Sequence, residues 1–134
     1  MLLLGAGGAG SAIALALLAS GVRSLIIHDT DKSRSAKLVE LLADIGRGRV
    51  SEGPPDPADC DMLCNASPMG MAEGDPIPVP ANLFRPAMFV GDVIAGHGVT
   101  PFLEAAQAAG CKTANGDQMV EAGQELMLDF MLGR

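Results

Sequence analysis

The sequence predicts a doubly wound α/β domain, a parallel sheet with helices on both faces. Three observations predict it. Short all-apolar runs of strand length alternate with helix-length segments whose apolar residues recur every three or four positions. A parallel crossover needs a helix-length connection and is right-handed almost without exception, so this alternation selects a parallel sheet. Glycines or capping residues mark each change of element, and 17 Gly with 9 Pro supply the turns. At 134 residues, 49% hydrophobic and 19% charged, the chain fits one domain, residues 1–134, with enough apolar material for a core.

Met1–Leu4 (MLLL) reads as a buried strand, and Ala9–Ser20 as a helix, with Ile13, Leu15, Leu17 and Leu18 on an alanine-rich background that stops at Gly21. Ser24–His28 (SLIIH) is a second strand. After Asp29-Thr-Asp31, a helix runs from Ser33 to Ile45 with Ala36, Leu38, Leu41, Leu42 and Ile45 on one face. Arg49–Ser51 is a short third strand, and the Pro-rich stretch Gly53–Pro57 breaks regular structure before a fourth strand at Asp61–Cys64. Asn65–Pro80 holds four Pro and two Gly and reads as a loop; Met88–Ile94 (MFVGDVI) is a strand. Thr100-Pro101 has the N-cap and first-turn signature of a helix ending at Gly110. Cys111–Ala114 is a last strand. The final helix, Asp117–Leu132, spaces Met119, Leu126 or Met127, and Phe130 for one buried side.

Sixteen acidic against nine basic residues give a net charge of −7, with no electrostatic footprint for nucleic acid or an anionic membrane. Without Trp or Tyr, and with four Phe, there are few platforms for stacking bases. Three cysteines, Cys60, Cys64 and Cys111, are an odd number without metal-ligand spacing, so no disulfide scaffold and no metal site is expected. The apolar start falls far short of the ~20 residues that span a bilayer and lacks the basic opening of a signal peptide, so the expected location is cytoplasmic.

Gly5-Ala6-Gly7-Gly8-Ala9-Gly10 satisfies G-x-G-x-x-G between a strand and a helix, the context in which the pattern marks a Rossmann-type dinucleotide site. Gly5 permits the tight turn, Gly7 lets backbone approach a pyrophosphate at the helix N-terminus, and Gly10 lets helix and strand pack closely. Asp29 lies nineteen residues after Gly10, at the end of the second strand, where a carboxylate accepts from both adenosine ribose hydroxyls. It would repel a 2′-phosphate, so NAD is expected to be preferred to NADP. Asp29 and Asp31 are also plausible helix caps, and Lys32 and Arg34 offer cations to a phosphate. Asn65-Ala66-Ser67-Pro68-Met69 follows a strand and reads equally well as an Asx turn or as a wall for a nicotinamide ribose. His97, between two glycines, and His28 read as loop and strand-end residues, and the methionines at 62, 69, 71, 88, 119, 127 and 131 as core and pocket filler.

GAGGAG at 5–10, NASPMGM at 65–71, Asp92-Val-Ile94, Thr100-Pro-Phe-Leu103 and Gly116-x-x-Met119 stand in the order and approximate spacing of the cofactor domain of the shikimate/quinate dehydrogenase family, which the chain resembles from Gly5 to about Gly133. The resemblance implies a two-domain enzyme that moves a hydride between NAD(P) and a ring hydroxyl of a cyclic hydroxy acid. This chain would be its C-terminal half. The family's catalytic Lys and Asp lie in an N-terminal domain, so an excised fragment is expected, with no catalytic residue of its own. Cofactor contacts implied are Gly5–Gly10, His28, Asp29, Thr30, Asn65, Ala66, Ser67, Met69, Asp92, Ile94, Gly116 and Met119. NADP-preferring members carry Asn-Arg-Thr where this chain has His28-Asp29-Thr30, which again implies NAD, with NADP possible.

Two departures bear on substrate. Ala95-Gly96-His97 replaces a Tyr, a polar residue and Pro, and Gly123 stands where the family has a substrate-binding Gln, with Gln124 one step, ~100° of helix, further on. A parent enzyme preferring quinate, an amino-substituted analogue or another cyclic polyol to shikimate is expected. A non-catalytic dinucleotide-binding module, or a related polyol or amino-shikimate dehydrogenase, are the competing readings.

Overall fold

The computed structural model describes residues 1–134. Its elements are β1 (Leu2–Leu4), α1 (Gly8–Ala19), β2 (Leu25–His28), α2 (Lys32–Gly46), β3 (Val50–Glu52), β4 (Met62–Asn65), β5 (Phe89–Asp92), α3 (Pro101–Ala108), β6 (Lys112–Ala114) and α4 (Gly116–Leu132), with one 3-10 turn at Ala81–Leu83. All six strands pair in parallel in the order β3-β2-β1-β4-β5-β6. The doubly wound Rossmann-type fold expected from the alternation is the fold observed, and each element lies within a few residues of its expected limits.

The strands are too short to be stable alone and are held by burial on their faces. On one face α1 and α2 cover β1 and β2 through Leu3, Ala14, Leu18, Leu25, Ile27, Leu38 and Leu42. On the other, α3 and the segment from Val79 to Met88 cover Leu2, Leu4, Leu63 and Val90, with the Phe84 and Phe102 rings 5.5 Å apart. Arg49 ties the carboxyl ends of α1 and α2 together, donating to the Leu18, Val22, Ile45 and Gly46 carbonyls. Carbonyls at a helix end lack the full set of intrahelical partners, and a guanidinium with five donors serves several at once.

Three expectations about burial fail. The inward stripe of α2 is Ser35, Leu38, Leu42 and Gly46, while Leu41 stays 68% exposed and Ala36 and Ile45 also face out. Gly46 explains the register: a Cβ there would lie 2.6 Å from Val50 Cγ1, so the helix closes on β3 through this stripe and rolls Leu41 away. In α4 only Gly116 is buried. Met119, Leu126, Met127 and Phe130, expected to face inward, are all exposed, because the helix leaves the body of the domain after its first turn and meets nothing to pack on. The methionines, expected as core and pocket filler, divide: Met88 is buried and Met62, Met69 and Met119 line hollows, whereas Met71, Met127 and Met131 are exposed against that expectation.

Leu63→Ala should therefore cost about 2–5 kcal/mol in urea unfolding, because it leaves a cavity between β4 and α3. Leu41→Ala, at a position of equal sequence hydrophobicity, should stay within about 0.5 kcal/mol.

Candidate functional site

The strand order changes direction between β1 and β4, the place where an open parallel sheet leaves a crevice at its carboxyl edge. Leu4 is level with His28 on one side and with Asn65 on the other. The residues that follow each strand, Gly5, Asp29 and Ala66, therefore emerge side by side.

Backbone crowding holds this point together. Gly5 has φ +103°, and a Cβ on it would lie 2.7 Å from the Ala66 carbonyl carbon. A Cβ on Gly10 would lie 2.0 Å from the Gly5 oxygen. The tight turn and the close helix approach expected of these two glycines are thus both present. Gly7 and Gly8 differ: nothing lies within 4 Å of a Cβ on either, and Gly7, Gly8 and Ala9 are exposed.

The N-terminus of α1 is also chemically open. Asp31, Thr100 and Asn115 cap α2, α3 and α4, accepting from the Ser33, Leu103 and Gln118 amides. No side chain caps α1, whose N-cap is Gly7. Its first N–H groups and the positive end of its dipole are available to an anion.

Beside it stands Asp29. Its Oδ2 accepts from the Ala6 N–H at 2.8 Å and its Oδ1 from the Asp31 N–H at 2.8 Å. The two aspartates therefore have separate tasks: Asp31 caps the helix and Asp29 braces the Gly-rich turn. The Ser33 hydroxyl and amide, with a smaller part from Arg34 at 3.7 Å, hold the Asp31 carboxyl below its ordinary range.

Gly5, Gly7, His28, Asp29, Thr30, Ala66, Ser67 and Met69 line a crevice of about 710 Å³. Ala6 and Gly10 lie buried beneath it. Arg34, Pro55, Asp75, Pro76 and Pro78 complete the lining. Arg34, expected to offer a cation to a phosphate, is thus in the wall; Pro55, Asp75, Pro76 and Pro78 were not marked by any motif, and the available signal for them was that the two Pro-rich stretches follow β3 and β4, so both leave the sheet at its carboxyl edge. A larger hollow of about 820 Å³ opens at the opposite edge, among Arg23, Asp56, Asp59 and Asp61. The turn that lines it, at Gly21, follows the carboxyl end of α1, and no helix N-terminus opens into it, so the smaller crevice is the better candidate.

Five residues expected to touch a cofactor are placed elsewhere. Asn65 is wholly buried: its amide donates to the Met69 carbonyl and to Asp92, and its oxygen accepts from the Ser67 N–H and hydroxyl. It forms the Asx turn and has nothing left for a ribose. Asp92 is buried too, accepting from Thr100 at 2.8 Å and the Ile94 N–H at 3.2 Å. Burial raises its pKa, against the pull of those hydrogen bonds. Burial and then the nearby Asp92 push the Cys64 thiol up to about 12. Ile94 is buried, and Gly116 packs so close that a Cβ would sit 2.4 Å from the Ile94 carbonyl carbon. Met119 lines a separate apolar groove of about 200 Å³ on the sheet face. Asn65 and Asp92 are turned inward because they end β4 and β5, both interior strands of the sheet. Gln124 and His97 are exposed.

No protein-family model matches the chain. Shikimate dehydrogenase (NADP(+)) of Streptomyces avermitilis is 39% identical over 122 residues, 87% of this chain and 42% of the relative. Quinate dehydrogenase from Corynebacterium glutamicum, solved in complex with NAD, superposes with a TM-score of 0.82 at 34% identity over 89% of this chain and 44% of the other. The chain is homologous to shikimate and quinate dehydrogenases. A ligand-free 5-ketofructose reductase of Gluconobacter matches 99% of this chain and 50% of its own length, with a TM-score of 0.88 at 29% identity. The chain spans less than half the length of the curated dehydrogenases it matches.

Gly10→Ala should destabilise the domain by about 1–3 kcal/mol, since two backbone segments must separate to admit the methyl group. Gly7→Ala should leave stability within about 0.5 kcal/mol. Thermal unfolding of both variants checks this difference between two glycines of one motif.

Proposed function

We propose that this chain is the cofactor-binding half of a shikimate/quinate-type oxidoreductase, with NAD as its preferred nucleotide and a ring hydroxyl of a cyclic hydroxy acid as the reacting group. The observation that carries the reading is the uncapped N-terminus of α1, opened by Gly7 and set beside Asp29 in one crevice. The homology to dehydrogenases of both cofactor types supports it.

The residues present fit the nucleotide. The Gly7, Gly8 and Ala9 backbone would hold the pyrophosphate, and the remaining acceptor capacity of Asp29 would take the ribose hydroxyls, with His28 and Thr30 beside them. NAD, when bound, supplies the hydride acceptor. Asp29 would meet a 2′-phosphate with like charge, while Arg34 on the crevice wall stands 3.7 Å from Asp31. Asn65, Ser67 and Asp92 hold the turn on which a nicotinamide would rest. The one imidazole of the crevice, His28, is held 3.1 Å from the Gly53 carbonyl beside Asp29, at the end assigned to the adenosine ribose, so proton transfer and the substrate cradle are assigned to a second domain. The isolated chain should bind cofactor and not catalyse.

Exposed Ala95-Gly96 and the empty space around Gly123 leave out two polar partners for substrate. Each missing buried partner costs about 1–3 kcal/mol of recognition, which favours quinate, an amino-substituted analogue or another cyclic polyol over shikimate. A second reading, a reductase of a keto sugar or polyol, rests on the structural match to the 5-ketofructose reductase, whose coverage of 99% of the chain is shared by a shikimate 5-dehydrogenase.

Calorimetric titration of the isolated chain should give NAD an affinity at least about tenfold above NADP. Asp29→Asn keeps an acceptor for the Ala6 amide, removes the charge, and should narrow that ratio. Equal or stronger NADP binding by the unmutated chain would overturn the preference, and dehydrogenase turnover of shikimate or quinate by the isolated chain would overturn the division of labour.

A further inference from the structure

The side chain that ends β2 at the crevice is an imidazole, and only one of its two nitrogens is used by the chain. The His28 carbonyl accepts from the Gly5 N–H at 2.8 Å, which fixes the residue against the glycine-rich turn. Its Nδ1 stands 3.1 Å from the Gly53 carbonyl. That carbonyl comes close because Gly53 has no side chain. A Cβ there would lie 2.6 Å from Cγ2 of Ile26, which shares a strand face with His28. The Gly53 N–H also donates to the Ile27 carbonyl at 3.1 Å, and Pro55 continues into the crevice wall.

A carbonyl oxygen only accepts, so Nδ1 carries the hydrogen, and in the neutral ring Nε2 is a bare acceptor. Nothing in the chain bonds Nε2. Gaining a proton therefore breaks no contact of the ring: the bond to Gly53 persists, and Nε2 becomes a second donor on a unit positive charge. His28 and Asp29 line the same crevice, so that charge arises beside the carboxylate assigned to the ribose.

The other charged groups near the ring come from its neighbouring elements. Level with His28 on β1 is Leu4, which brings no charge. On β3, Glu52 is level with Ile27 and accepts from the Ser35 hydroxyl at 2.6 Å. Arg34 of α2 and Asp75 of the loop after β4 complete the crevice wall, whereas Asp31 and Lys32 are exposed outside it. Ser33 holds the Asp31 carboxyl below its ordinary range, so it keeps its charge. Between about pH 6 and about pH 8 carboxylates and guanidinium groups ordinarily hold their charge, and imidazole ordinarily changes it.

Resting on the proposed function, we propose that His28 is a specificity-determining residue that makes the choice between NAD and NADP depend on pH. With the ring neutral, the Asp29 carboxylate stands uncompensated and repels a 2′-phosphate. With the ring protonated, a cation beside Asp29 offsets that repulsion and offers Nε2–H to the phosphate, so NADP gains on NAD as pH falls.

Calorimetric titration of the chain with each nucleotide at about pH 8 and about pH 6 tests this, alongside His28→Asn, whose amide can donate to Gly53 and takes no charge. The ratio of NAD to NADP affinity should fall at least about threefold from the higher pH to the lower in the unmutated chain, and less than about 1.5-fold in the variant. Both chains meet the same titrating phosphate of NADP, and both keep Asp92, whose raised pKa lies beyond β1 and β4, so the difference belongs to the ring. By reciprocity, the His28 ring signals in NMR should titrate at higher pH with NADP bound than with NAD. A ratio that moves equally in the two chains, or ring signals that titrate alike in the two complexes, would overturn the inference and leave the cofactor reading standing. Failure of either nucleotide to bind at both pH values would overturn the cofactor reading and this inference with it. If His28→Asn does not fold, the ring titration of the unmutated chain still decides.

Discussion

The crevice depends on one crowded point, where the backbones of Gly5, Gly10 and Ala66 meet. No side chain fits at Gly5 or Gly10, since either Cβ would lie under 3 Å from another segment's backbone. The contact fixes three things together: the turn out of β1, the approach of α1 to the sheet, and the departure of the chain from β4. With α1 held there, its N-terminus projects its free N–H groups over the carboxyl edge of the sheet, where β2 delivers Asp29. The contact between Asp29 and the Ala6 amide then braces the turn from the outside. One carboxylate thus serves the geometry of the turn and, in the proposed function, the choice of nucleotide.

A second, buried arrangement supports this one from below. Asn65, Asp92 and Thr100 form a chain of hydrogen bonds across β4, β5 and the start of α3, at the positions where the strands end. No side-chain polar atom buried there lacks a partner. Asp92 is costly to bury as a charge, which is why its pKa rises, and three donors offset that cost. Cys64, beside it, is held as a neutral thiol by the same burial. These residues position the crevice floor, their side-chain polar atoms spent on one another and on nearby backbone.

Much of this was legible in the sequence, for identifiable reasons. The βαβ order, the roles of Gly5 and Gly10, and the emergence of Asp29 at the crevice all follow from local pattern, because strand, turn and helix are contiguous there. What was not legible depends on long-range packing. Asn65 and Asp92 look like ligands in a motif, and only the pairing of β4 with β5 turns them toward each other. Leu41 and Leu38 are equivalent by periodicity, and only the approach of Gly46 to Val50 separates them. The apolar spacing of α4 reads as a buried face, but spacing identifies an apolar surface without identifying its partner. Asp75 and the prolines of the crevice wall belong to loops whose positions no periodicity encodes.

The central claim is that the open end of α1, beside Asp29, is where a nucleotide binds. Backbone amide chemical shifts of the isotopically labelled chain, followed during titration with NAD, test it most directly. The largest shifts should fall on Gly7, Gly8, Ala9, Asp29, Thr30 and Ser67, with the amides of β3 and α3 little changed. Shifts centred instead on Arg23, Asp56 and Asp59 at the opposite edge of the sheet, or none at saturating NAD, would contradict it.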